Sequence, residues 1–299
     1  MYVKFIKSFL NFLGSNILYI LWFIIYFSIA WYILGANLNS FIYVSIIYGV
    51  SITIALSPIG ESILRAVENC RLPSTEQERN YLIPMFEEVY EDAKEVYPEL
   101  NDGIRIYIMD VMYVNAFAIG RKTIAVTKGA METFTAEELK GVLAHEFGHI
   151  FYGHTKALLL SVIGNFFFSV IVLFFRIVLY VIQIISNIVA QFNIVGLVFA
   201  IVTFVARLWV DLIIFIFINL SQIILALNSR TNEMQADTFA YEIGYGRQLI
   251  SGMYLLQKVS MNQKLTISEQ MKASHPHISC RIKNLEMLEN QPVEGIASN

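Results

Sequence analysis

His145 and His149 stand four residues apart with Glu146 beside the first, in the run His145-Glu146-Phe147-Gly148-His149. On a helix, residues four apart share one face, so both imidazoles can reach one ion. Two imidazoles suit Zn²⁺, which in catalytic sites takes three protein ligands and leaves a position for water. The metal draws the water's pKa toward about 7, and a neighbouring carboxylate can then take its proton. The pattern predicts a hydrolytic zinc centre with His145 and His149 as ligands and Glu146 as general base. Gly148 costs a helix up to about 1 kcal/mol relative to Ala, which is tolerable where another backbone or a ligand comes close. All five histidines of the chain fall in two clusters, residues 145–154 and 275–277.

The third ligand must come from elsewhere. A third histidine six residues after His149, the metzincin spacing, is absent, because that position is Thr155. His154 lies about 140° round the helix from His149, which suits a supporting or surface group rather than a ligand. Glu233 and Asp237, in Glu233-Met234-Gln235-Ala236-Asp237, put two carboxylates four apart on one face. Either could complete the site.

A capping box, Thr135-Ala136-Glu137-Glu138, opens the helix that carries the histidines. Two overlapping boxes in Ser74-Thr75-Glu76-Gln77-Glu78 start a helix running toward Glu95, with a kink expected at Pro84 inside it. Ile104–Ile108 alternates as a strand does. Asn115-Ala116-Phe117-Ala118 and Thr123–Thr127 flank Gly120-Arg121-Lys122 and read as a hairpin. A small antiparallel sheet beside the metal helix is expected, with Asn115–Ala118 a strand whose free edge takes up an extended peptide.

These elements sit in a chain that is mostly apolar. Of its 299 residues 56% are hydrophobic and 15% charged, against roughly 25% charged in ordinary soluble domains. The deficit points to lipid rather than to a larger core. Net charge is −3 with no long basic run, which argues against nucleic acid as a partner. Cys70 and Cys280 share no ligand spacing and read as reduced thiols.

No Lys, Arg, Asp, Glu or His lies between Ser8 and Gly60. A spanning helix needs about 20 apolar residues. Asn16–Leu34 supplies one and Phe41–Pro58 a shorter second, joined by the polar turn Gly35–Ser40. A cleaved signal peptide is the competing reading, but no A-x-A site follows and a second span comes directly after. Another apolar block runs from Ala157 to Asn228, interrupted by Arg176, Arg207 and Asp211 and divided at Asn187–Asn193. It reads as a hairpin with arms of roughly 50 Å, longer than a hydrocarbon core of about 30 Å. Asp211 follows Arg207 by one turn and is expected to pair with at least one arginine, since unpaired charges in spans are costly. Lys4, Lys7, Arg65, Arg71 and Lys156 flank the spans on one side, while the inter-span turns carry no charge. The positive-inside rule then places both termini and the polar domain in the cytoplasm.

The chain resembles the M48 family of metallopeptidases, in particular its HtpX-type membrane proteases. The likeness covers nearly the whole chain. It rests on the two N-terminal spans, Asn115–Ala118, Leu143–His149 continued by His154, Ser229–Asp237, and Ser274-His275-Pro276 followed by Arg281-Ile282. The resemblance implies an α+β membrane protein, mostly helical, with two transmembrane hairpins and a gluzincin-like zinc peptidase domain. The expected divisions are residues 1–60 and 157–228 for the hairpins, and 61–156 and 229–299 for the two parts of the peptidase. By the same resemblance Glu233 is the third ligand, Asp237 orients a ligand imidazole, and His275 stabilises the developing oxyanion. The implied substrates are polypeptides, membrane proteins or their cytoplasmic regions, cleaved in quality control at the cell's inner or plasma membrane. Asn232 stands where the family usually has Arg, and His277 where a second Pro is common. Competing readings are a narrow maturation protease of the prenyl-peptide type, an intramembrane protease, and a membrane receptor with a vestigial site. The polar run Thr135–Lys140 argues against the second, and the intact Glu146 against the last.

Overall fold

The computed structural model describes residues 17–160, 166–261 and 278–290. In chain order it contains α1 (Ile17–Ile33), α2 (Leu38–Ala55), α3 (Pro58–Val67) and α4 (Glu76–Val96). Then come β1 (Arg105–Met109), β2 (Ala116–Ile119), β3 (Thr123–Thr127), α5 (Lys128–Thr133), α6 (Ala136–Tyr152) and α7 (Thr155–Leu159). Four helices follow: α8 (Phe166–Val189), α9 (Ile194–Glu242), α10 (Gly246–Met261) and α11 (Ile278–Glu289). The chain forms two compact units, Met1–Thr53 with Ser161–Leu225, and Ile54–Leu160 with Ala226–Asn299. The architecture is that of an α+β membrane protein, mostly helical with one small sheet.

In the first unit α1 and α2 pack through Tyr26, Ala30, Val44 and Tyr48. Their turn uses left-handed backbone at Gly35 (φ +103°) and Ala36 (φ +51°). Asn37 and Ser40 close it by exchanging hydrogen bonds of 2.9 and 3.0 Å. Leu38–Ala55 and Ile194–Leu212 are long and apolar enough to cross a bilayer, and Phe23–Tyr32 and Leu173–Val189 are shorter apolar stretches. Between α8 and α9, Gln183 donates to the Ala200 carbonyl at 3.2 Å, and the Ser186 and Thr203 hydroxyls meet at 3.0 Å. Asp211 pairs with Arg176 across the hairpin at 2.7 Å and with Arg207 on its own helix at 3.8 Å. The Arg207 guanidinium also lies over the Tyr180 ring, 5.3 Å from its centre. The returning arm does not stop at Asn228. It continues as one helix of 49 residues to Glu242.

The second unit is built on a three-stranded sheet of order β1-β3-β2. The sheet is mixed, where the sequence suggested an antiparallel one. β2 and β3 form the expected antiparallel hairpin, but β1 runs parallel to β3. The link from Met109 to Ala116 is long enough to leave a strand's width between β1 and β2, and β3 fills it. Alternation within β1 cannot encode that choice of neighbour. All five residues of β3 are buried. Arg71 bridges to Ile108 on the outer side of β1. β2 has no strand on its outer side among the described residues.

Of the two overlapping boxes at the start of α4 the one of Thr75 with Glu78 forms, and on α6 that of Thr135 with Glu138 forms. The core between α4, the sheet, α6 and α10 holds Leu82, Phe86, Leu143, Phe147, Phe239 and Met253. Burying a side chain the size of Phe147 contributes about 1.5–3 kcal/mol, so this packing is what holds α6 still.

Candidate metal centre

Helix α6 has a fixed start and a fixed end. Thr135 accepts from the Glu138 N–H, and Glu138 accepts from the Thr135 N–H. At the other end Gly153 takes a left-handed conformation, φ +73°. That turn sends the His154 N–H back to the His149 carbonyl at 3.0 Å. Between these ends His145 and Glu146 face inward, each 3% exposed. Gly148 lies against α9: a Cβ there would sit 2.9 Å from the Ala236 Cα and 3.0 Å from the Phe239 Cβ. The missing side chain lets α9 approach closely enough to deliver its carboxylates.

Three donors converge. The Nε2 atoms of His145 and His149 are 3.0 Å apart, and each lies 3.4 Å from a Glu233 carboxylate oxygen. Metal bonds of about 2.0–2.1 Å in a tetrahedral shell put neighbouring ligand atoms roughly 3.3 Å apart. The spacing therefore fits a zinc ion, and the donor set of two imidazoles and one carboxylate fits its chemistry. His145, Glu146 and His149 also offer ligand atoms within 4.8 Å of one another.

A second layer holds these groups. Asp237 Oδ1 lies 3.0 Å from His145 Nδ1, on the side of the ring away from Glu233. Arg281 reaches Asp237 with two nitrogens, at 2.6 and 2.8 Å, and Glu233 with a third at 2.8 Å. His154 Nδ1 is 3.0 Å from His149 Nδ1, and its Nε2 is 2.9 Å from Gln235 on α9. Imidazoles linked in this way have their tautomers and ring planes fixed.

The electrostatics follow from burial and partners. Burial and the Arg281 charge push the His145 imidazole toward neutrality, but hydrogen bonds to Asp237 and Glu233 prevail and lift it to about 9. Burial takes His149 down to about 3, with the Glu233 hydrogen bond offsetting only part. One ring is thus already a neutral donor, while a metal would displace a proton from the other. Burial alone would raise the Asp237 carboxyl; hydrogen bonds from Arg281 and His145 reverse this and hold it low. With both imidazoles neutral, as metal binding requires, the three carboxylates Glu146, Glu233 and Asp237 against the Arg281 guanidinium leave a formal charge of two negative. One divalent cation would balance it.

The structure thus brings together His145, Glu146, His149, Glu233 and Asp237. His275 lies outside the described residues. Asn115 precedes β2, its carbonyl accepting from the Thr127 N–H at 3.0 Å; Ala116, Phe117 and Ala118 lie in β2, which packs on α6. Arg281 is the residue that sequence reasoning leaves without a role. No spacing links it to Asp237, 44 positions earlier, and it is 7% exposed.

Comparison with known proteins bears on the family. The model of "Peptidase family M48" matches residues 76–289. A "Protease HtpX homolog" of Methylacidiphilum infernorum (isolate V4) is 25% identical over 264 residues, 80% of this chain and 82% of that one. A protein of the same name from Dictyoglomus turgidum is 36% identical over 90 residues, 25% of this chain and 30% of its own. The one from Aquifex aeolicus (strain VF5) is 50% identical over 50 residues, 15% of this chain and 17% of its own. Among solved structures, S. mikatae Ste24p aligns with 95% of this chain and 66% of its own, at 18% identity and a TM-score of 0.46.

Proposed function

The chain belongs to peptidase family M48, which makes it a protease; beyond that, we propose that it is a membrane-embedded zinc endopeptidase. The observation that carries this reading is the convergence of His145, His149 and Glu233 at 3.0–3.4 Å beside the buried Glu146.

His145, His149 and Glu233 would hold the ion. Bound zinc supplies Lewis-acid polarisation of water and of the scissile carbonyl. Glu146 takes one proton from the attacking water as the new C–O bond forms. It then gives that proton to the leaving amine as the C–N bond breaks, so it ends as it began. Asp237 keeps the His145 ring turned toward the ligand position, and Arg281 keeps Asp237 and Glu233 in place. His275 remains our candidate for stabilising the oxyanion.

The substrate backbone is proposed to pair with β2. In an antiparallel ladder, residues alternate between bonding their partner and pointing outward. Thr127 bonds Asn115, and with the register Phe117↔Ala125 the groups of Ala116 and Ala118 point to the open side. An extended chain added there would gain main-chain hydrogen bonds. The proposed substrates are membrane proteins or their cytoplasmic regions, handled in quality control, with the peptidase domain and both termini on the cytoplasmic side. The test is purified protein in bilayers, with zinc measured and a membrane-protein substrate supplied. Glu146→Gln should keep zinc and lose about 10²–10⁴-fold in turnover, the usual share of a general base. Wild-type turnover in that variant would rule the mechanism out.

A further inference from the structure

Helix α3 has two opposed faces. On the inner one Glu61, 6% exposed, accepts from the backbone N–H of Arg121 at 3.2 Å and of Lys122 at 3.1 Å. It also accepts from the Thr123 hydroxyl at 2.6 Å, to which Arg65 donates at 2.8 Å. Arg121 and Lys122 form the turn between β2 and β3. Gly120, at φ +61°, leaves room for this grip: a Cβ there would lie 2.6 Å from a Glu61 oxygen. So α3 holds the hairpin that carries the outer strand β2.

The outer face is apolar. Ile59, Ile63 and Val67 recur every fourth residue and so form one line along the helix. They are 62%, 43% and 63% exposed, and Leu56, just before the helix, is 42% exposed. Aligned on one face rather than scattered singly, these residues make a stripe suited to an apolar contact. Its occupant follows from where the chain comes from. α3 begins three residues after α2 ends at Ala55, and α2 is long and apolar enough to cross a bilayer. Ser57 caps the new helix and Pro58 starts it. Gly60 packs on the end of α2, where a Cβ would meet the Ala55 carbonyl at 2.4 Å. A helix that starts at the end of a span, with an apolar stripe on one side, matches one lying in the lipid interface.

We propose that α3 is an interfacial helix. Ile59, Ile63 and Val67 enter the boundary between headgroups and acyl chains, while Glu61 and Arg65 on the other face hold the β2–β3 turn. The bilayer surface then sets the height of β2 through a single short helix. This rests on the membrane-embedded reading, so the experiment must separate the two.

The full chain, with Cys70→Ser and Cys280→Ser, would carry one spin label at a time at Ile59, Ile63 or Val67 in phosphatidylglycerol–phosphatidylethanolamine vesicles. Reference labels go at Ile46 in α2, 58% exposed, and at Glu87 in α4, also exposed. Collision with oxygen, which concentrates in lipid, is compared with collision with a water-soluble nickel chelate. The α3 labels should show an oxygen-to-nickel ratio about threefold or more above Glu87 and below Ile46, as for side chains buried about 5–10 Å into the interface. Ratios equal to Glu87 with Ile46 in lipid would overturn the interfacial helix and leave the membrane reading intact. Shielding from both reagents would mean that protein covers the stripe, which also overturns it. An aqueous Ile46 would instead overturn the membrane reading on which the proposal stands.

Discussion

Gly148→Ala separates the metal site's geometry from the protein's stability. The new methyl would lie 2.9 Å from the Ala236 Cα, 3.0 Å from the Phe239 Cβ and 3.1 Å from the Ala236 carbonyl. Carbon atoms rest at about 3.5–4.0 Å, so α6 and α9 must part by roughly 0.5–1 Å. Overpacking of this kind costs about 1–3 kcal/mol, and the gain in helix propensity returns up to about 1 kcal/mol. Net destabilisation is therefore about 0–3 kcal/mol. The ligands tolerate far less. Glu233 and Asp237 ride on α9 on either side of Ala236, and metal–ligand distances hold to about ±0.2 Å. Zinc affinity should fall at least about tenfold, which is about 1.4 kcal/mol, while the zinc-free protein unfolds somewhat earlier. Affinity is read by competition with a chromogenic chelator, stability by thermal unfolding after chelation. Gly141→Ala is the control: its methyl would strike the Leu249 backbone at 2.4 Å, where α6 meets α10, a helix that carries no ligand. It should lower stability with zinc affinity of the folded fraction unchanged. Unchanged affinity in Gly148→Ala, with its stability lowered, would refute the claim that the close approach of α9 sets the ligand position.

Other expectations can be checked in the same preparation. Glu233→Ala should reduce bound zinc more than Asp237→Ala, for which a loss of about 10–100-fold is typical of a group that only orients a ligand; the reverse order on metal analysis would exchange their roles. Ala116→Pro removes an outward N–H without touching the ladder to β3, so it should raise KM for an extended peptide while bound zinc stays at its wild-type level. Arg71 donates to Glu78 at 2.6 Å and to Asp110 at 2.6 Å and holds both carboxyls well below their usual range. Depressed folded pKa values contribute stability above the unfolded values, near pH 4, and lose it as pH falls further. Thermal midpoints between pH 7 and pH 3 should fall less steeply in Arg71→Ala than in the wild type, and parallel curves would count against this linkage.

What was legible in the sequence was whatever is encoded locally. Thr75 with Glu78 and Thr135 with Glu138 announce two helix starts through residues three apart, and both boxes form. His145 and His149 share a face by spacing alone. The partner of β1 was not legible, because pairing with β3 instead of β2 depends on what the link Asp110–Asn115 permits and not on the strand's own pattern. The reach of α9 was legible but easy to misread. Polarity rises at Asn228, yet no Gly or Pro occurs between Gly196 and Gly244, so nothing stops the helix there. Arg281 is the hardest case, since no motif spacing ties it to residues on α6 and α9. Charge still implies it. Glu146, Glu233 and Asp237 bring three carboxylates into one buried site, and a divalent ion neutralises only two. A buried charge left over is costly unless paired, so the site needs one more cation from a distant element. Arg281 meets that need in the fold, at 2.6–2.8 Å from both acids of α9. The excess of one negative charge at a two-histidine, three-carboxylate zinc site is thus what a distant arginine answers.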